Sequence, residues 1–113
     1  MKQPVNELTG TQLDVAFCMA LDIKVRYSSM NGVVQEGPID QWHPFRPSVD
    51  ITQLWRYIIT ERIEISPREH GGWQAQRWKP YGIGTGPSPE VAACRAVVNS
   101  VYGDEWETRI FPQ

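Results

Sequence analysis

Ile51, Leu54, Trp55, Ile58 and Ile59 fall at i, i+3, i+4, i+7 and i+8, which on an α-helix is one unbroken apolar stripe. A strand cannot present those five side chains together, because its successive residues point to opposite faces. The segment is therefore committed to a helix over about 49–62, with Ser48 as N-cap and Asp50 in the first turn. A stripe of this kind needs an apolar surface to cover it. The expectation is that all five residues enter the core, each large side chain contributing roughly 1.5–3 kcal/mol on burial. The rest of the chain has to supply that core.

Two further helices are written into the sequence. Thr9 with Gln12 has the form of a capping box, and Leu8 and Leu13 are spaced as a hydrophobic staple. Leu13, Ala16, Phe17, Ala20 and Leu21 then share one face, which predicts a helix over about 10–21. Asp14 reads as a carboxylate complementing the helix dipole. Near the other end, Ser88 is a natural N-cap, Pro89 suits the first helical position and Glu90 the second. Val91, Cys94, Val98, Val101 and Tyr102 form the apolar face of this last helix. Arg95 lies at its border, where the stem packs and the charged end reaches water. Gly103 is the expected terminator.

Between the helices the pattern turns to period two. Ile23, Val25 and Tyr27 alternate with Lys24 and Arg26, a half-buried strand. Ile63 and Ile65 suggest a second, and Trp73 to Trp78 a third, joined around Ser66-Pro67 and His70-Gly71-Gly72 as an antiparallel hairpin. Trp73, Ala75 and Arg77 share one face of that strand. The stretch 28–47 reads as a long loop with a hairpin signal at Asn31-Gly32. The stretch 79–87, rich in Gly and Pro, reads as a flexible strand-to-helix connection. The tail from Asp104 to Gln113 either adds an edge strand or hangs free. The resulting fold class is α+β, a single domain over 1–113 with three helices packed on a small, mainly antiparallel sheet.

Composition narrows the function classes. Hydrophobic residues make up 41% and charged residues 21% of 113, a balance that suits one folded core. The net charge of −2 argues against duplex DNA as the main partner, because phosphate contacts require a basic excess. No segment reaches the roughly 20 apolar residues that span a bilayer, and the first residues lack an apolar signal stretch. The expected location is cytoplasmic. Cys18 and Cys94 read as buried, reduced thiols.

No catalytic motif stands out, and no cofactor or metal is expected. His43 and His70 lie in no zinc-ligand spacing, and nothing resembles a nucleophile elbow. Gly82, Gly84 and Gly86 precede a helix start, where free backbone N–H groups favour anions. Their spacing matches neither dinucleotide nor P-loop signatures. Two readings follow: a plain connection, or a small anion site with Gly84, Thr85, Gly86 and Ser88 as cradle and Arg77 or Lys79 as counter-charge. The five tryptophans raise a second possibility. Trp42, Phe45, Arg46, Trp73, Arg77 and Trp78 would together form an aromatic and cationic surface suited to a base, a planar ligand or a protein partner. The alternative is that most of these rings pack over a thin sheet.

The segment Glu7-Leu8-Thr9-Gly10-Thr11-Gln12-Leu13-Asp14-Val15-Ala16 resembles the opening of the NinX-like bacteriophage proteins. Gly86 to Val98 and Gly103-Asp104-Glu105 resemble the C-terminal helix of the same family. Pro47 to Ile51, leading into the Trp55 helix, is similar to the related phage α-β-α sandwich domain. The resemblance covers most of the chain in outline and departs most over 28–47. It implies a phage or prophage accessory protein working in a bacterial cytoplasm, and it carries no catalytic residue. The expected function is non-enzymatic binding during host takeover or counter-defence. One candidate is capture of a small anionic or nucleotide ligand, and the other is inhibition of a host protein through an aromatic surface. A homo-oligomer is also expected, since exposed tryptophans and sheet edges invite pairing.

Overall fold

A computed structural model describes residues 2–28, 30, 32–36 and 42–107. In chain order the elements are β1 (Lys2–Pro4), a 3-10 turn (Val5–Glu7), α1 (Gly10–Ala20), β2 (Val25–Ser28), β3 (Gly32–Glu36), β4 (Trp42–Pro44), α2 (Ile51–Thr60), β5 (Ile63–Pro67), β6 (Trp73–Trp78), β7 (Tyr81–Gly86), α3 (Pro89–Tyr102) and β8 (Glu105–Glu107). The class is α+β with three helices among the described residues, as expected. The strands divide among three antiparallel sheets, β1–β8, β2–β3–β4 and β5–β6–β7. Gly32 of the Asn31-Gly32 signal opens β3 and pairs with Ser28 of β2, while Asn31 itself lies outside the described residues. The stretch expected to be a long loop thus contributes two strands, β3 and β4. The Gly37-Pro38 signal lies outside the described residues, as do Ile110 and Phe111.

The segment expected to be a loop at 79–87 is mostly strand. Residues 81–86 pair with β6 throughout, Trp78 opposite Tyr81 and Trp73 opposite Gly86. Glycine is depleted from strands because it has nothing to pack, yet it marks places where another backbone comes close. Here that backbone is α3. A Cβ built on Gly82 would stand 2.5 Å from the Ala96 carbonyl oxygen, and one on Gly84 2.5 Å from that of Ala92. The facing helix is correspondingly small-sided, with Ala92, Ala93 and Ala96 fully buried. Helix and strand meet backbone to backbone, and the glycines are what permit it.

The outer edge of β7 is closed by side chains. Asn99 Oδ1 accepts the Ile83 N–H at 3.0 Å and Asn6 Oδ1 accepts the Thr85 N–H at 3.2 Å. Arg95 Nη1 donates to the Thr85 carbonyl at 2.7 Å, and its Nε and Nη2 donate to the Leu8 carbonyl. Arg95 is buried, which corrects the expectation that its charged end reaches water. Desolvation lowers its pKa, with Glu7 nearby pulling the other way. Its three hydrogen bonds tie α3 to β7 and to the entry of α1.

Thr9 is the N-cap of α1, but its side chain makes no capping hydrogen bond. Leu8 and Leu13 are both fully buried, consistent with a staple. From Leu13 to Cys18 every residue of α1 is buried. Tyr57 of α2 meets Phe17 and Phe45 edge to face, with ring centroids 5.5 and 6.1 Å away. The N-cap of α2 is Asp50, which accepts the Thr52 N–H at 3.0 Å, and not Ser48. The five-residue stripe of α2 splits. Leu54 and Ile58 are buried, whereas Ile51, Trp55 and Ile59 are exposed. Periodicity locates an apolar arc but not what covers it, and the core meets only one side of this arc. Val101 and Tyr102 of α3 are likewise exposed. Ser88 caps α3 through the Val91 N–H, and Gly103 ends it with φ of 82°. The tail adds β8 as an edge strand on β1, and its central residue, Trp106, is buried.

Candidate functional site

The residues proposed to cradle an anion are engaged in holding the fold. Arg77 is 7% exposed and points toward α3, where Nη1 donates to Ser100 Oγ at 3.0 Å and Nη2 pairs with Glu61. Its charge is balanced inside the molecule. Gly84 and Gly86 face α3, and Thr85 has both main-chain groups bonded to Asn6 and Arg95. Ser88 Oγ accepts the Val91 N–H at 3.2 Å, and Pro89 carries no N–H. The first turn of α3 therefore offers little to an anion, and the Glu90 carboxylate sits in the same turn. Lys79 stands apart in the exposed β6–β7 turn, in a cis Lys79–Pro80 linkage.

The aromatic candidates do not form one surface. Phe45 is buried and packs on Tyr57, and Trp73 is half-buried against the core. Arg46 is exposed, with its N–H donating to Gln53 Oε1 at 2.7 Å. Trp42 is exposed on β4, and the Arg26 guanidinium lies 4.1 Å from its ring centroid, a cation–π contact.

Trp78 belongs to a different feature. One face of the β5–β6–β7 sheet carries Ile63, Ala75, Arg77, Gly82 and Gly84, and it packs on α3. Strand alternation puts Glu64, Ser66, Gln74, Gln76, Trp78, Tyr81, Ile83 and Thr85 on the other face. None of these eight residues is buried. At one end Trp78 and Tyr81, directly paired across the strands, meet edge to face with centroids 6.4 Å apart. They are 56% and 59% exposed. The result is a pleated platform of amides and hydroxyls with a two-ring aromatic anchor.

A separate cleft of about 250 Å³ lies between the start of α1 and the turn after β4, lined by Gly10, Thr11, Asp14, Val33, Arg46, Ser48 and Val49. Asp14 at its floor is 4% exposed and accepts the Ser48 N–H at 3.0 Å. Burial pushes its carboxyl up to about 6, although the Ser48 amide and the Arg46 charge pull it down. Asp14 is thus a buried tie between α1 and the turn, where the sequence suggested a dipole partner. Cys18 and Cys94 are free and buried, and desolvation pushes the Cys18 thiol up to about 12. Neither is available as a thiolate at neutral pH.

His43 and His70 are exposed, on β4 and in the β5–β6 turn. Among the described residues, no three His, Cys, Asp or Glu side chains are grouped to hold a metal ion, and no helix is long and apolar enough to cross a membrane. Tyr81 carries no strand signal of its own, because Pro80 and the glycines around it have the composition of a loop. The signal was the alternation of glycine with Ile83 and Thr85. A comparison with the models of known protein families and with curated proteins finds no match.

Proposed function

We propose that this protein is a non-enzymatic binding protein that docks a host protein on the open face of the β5–β6–β7 sheet. The observation that carries the reading is the Trp78–Tyr81 pair, two large rings held edge to face and more than half exposed. Trp and Tyr are the side chains most enriched where binding energy concentrates, and a polar surround that excludes water favours them. Gln74, Gln76 and Thr85 supply such a surround on the same face. The resemblance to NinX-like phage proteins supplies the setting, an accessory protein acting in the bacterial cytoplasm during host takeover or counter-defence. Capture of a small anion has less support, because Arg77 is neutralised by Glu61 and the glycines face α3.

The test is quantitative capture from bacterial lysate with wild type, the double variant Trp78→Ala/Tyr81→Ala, and Trp42→Ala as a control on another sheet. A defined protein enriched by wild type and Trp42→Ala, and reduced about tenfold or more by the double variant, is expected. Identical recovery by all three proteins would contradict the reading.

A further inference from the structure

The apolar arc of α2 is wider than the core it meets. Leu54 and Ile58 fill the inner side, and Tyr57 is half-buried beside them. Ile51, Trp55 and Ile59 continue the arc into solvent, with Trp55 and Ile59 56% and 58% exposed. These three residues lie four apart, so they form one continuous ridge of the helix surface. Val49, just before the helix, is also exposed and apolar. Single exposed apolar residues are ordinary, but a contiguous ridge centred on a tryptophan marks an interaction surface.

The order of residues along the ridge says what fits it. It reads the same in both directions, isoleucine, tryptophan, isoleucine, about a centre at Trp55. A twofold axis through that centre would set Trp55 against its own copy and Ile51 against the copy's Ile59. The ends are charge-complementary under the same operation. The carboxylate of Asp50 caps the N-terminal end, and Arg62 follows the C-terminal end in a left-handed conformation with φ of 51°. An antiparallel crossing brings each Asp50 toward the other chain's Arg62, and opposes the helix dipoles favourably.

We infer that the exposed ridge of α2 is a homodimer interface, occupied by the same ridge of a second copy in antiparallel orientation. This face is distinct from the Trp78–Tyr81 sheet face and does not depend on the function assigned there. The contact is small, three ridge residues a side flanked by Val49, which places it among weak, concentration-dependent interfaces.

Sedimentation velocity over roughly 1–300 μM tests the inference, because a small apolar interface is expected to dissociate in the micromolar range. Wild type should shift from monomer to dimer within that range. Trp55→Glu and Trp55→Lys, at an exposed position that the fold does not need, should each stay monomeric with unchanged thermal stability. An equimolar mixture of the two variants should dimerise again, because only a twofold contact sets position 55 against itself and pairs the new opposite charges. A wild type that is monomeric throughout, a dimer indifferent to both variants, or a mixture that stays monomeric would each overturn the inference.

Discussion

Burial sets Asp14 against its own charge. Its carboxyl is raised from 3.8 to about 6, with desolvation the main cause. A folded-state value above the unfolded one means that the native state holds the proton more tightly between those two limits. Below about pH 4 both states are protonated and the group costs nothing. As pH rises through 4 to 6 stability falls, and above that the full cost of about 2–3 kcal/mol is present. Asp14→Asn keeps an acceptor for the Ser48 N–H but carries no charge. The variant should be about 2 kcal/mol more stable than wild type at pH 7.5 and equal to it near pH 3.5, as read by urea denaturation at the two values. A variant less stable than wild type at pH 7.5 would mean that the ionised carboxylate is stabilised by its surroundings. The sequence placed Asp14 correctly on a helix but misjudged its environment, because what buries it comes from residues 46–49, more than thirty positions away.

At the scale of elements, those with local causes were legible. The start of α3 at Ser88, its end at Gly103, the β5–β6 hairpin and the start of α1 follow from short-range signals, although at α1 the staple Leu8 and Leu13 is buried while the Thr9 side chain makes no cap. Along with β3 and β4, β7 escaped, because what fixes it is the close approach of α3 to Gly82 and Gly84, from Ala92 and Ala96 in the following helix. Gly84→Ala isolates that approach. A methyl there would overlap the α3 backbone at Ala92 and Ala96, and neither helix nor strand can yield without breaking the sheet. The substitution should cost more than about 3 kcal/mol, whereas Thr85→Ala, on the open face, should cost less than about 1 kcal/mol. Thermal unfolding of the two variants side by side checks the contrast. Similar melting temperatures would mean that α3 does not press on β7. The same logic explains the divided stripe of α2. Its helical period was visible, but which side of the arc faced the core depended on how the other elements assembled.

Among the described residues, the core gathers α1, α3 and one face of the β5–β6–β7 sheet, while the first and last strands join as the β1–β8 pair. Surfaces left uncommitted by this core, among the described residues, include the Asp14 cleft, the ridge of α2 and the open sheet face with Trp78 and Tyr81. Of the residues singled out in the sequence, Arg77, Phe45, Gly84, Gly86 and Ser88 hold the structure together. Trp78, Thr85 and Lys79 lie on or beside the anchored platform. Binding function in such a molecule rests on exposed side chains set on a rigid sheet, and sequence alone does not separate exposed rings from buried ones. Site-specific photo-crosslinking in the bacterial cell tests this most directly, with a photoreactive phenylalanine analogue replacing Tyr81 and, as a control, replacing Trp42. One discrete heterologous adduct is expected from position 81, absent from position 42 and lost when Trp78→Ala is added. No adduct from position 81, or the same adducts from both positions, would contradict it.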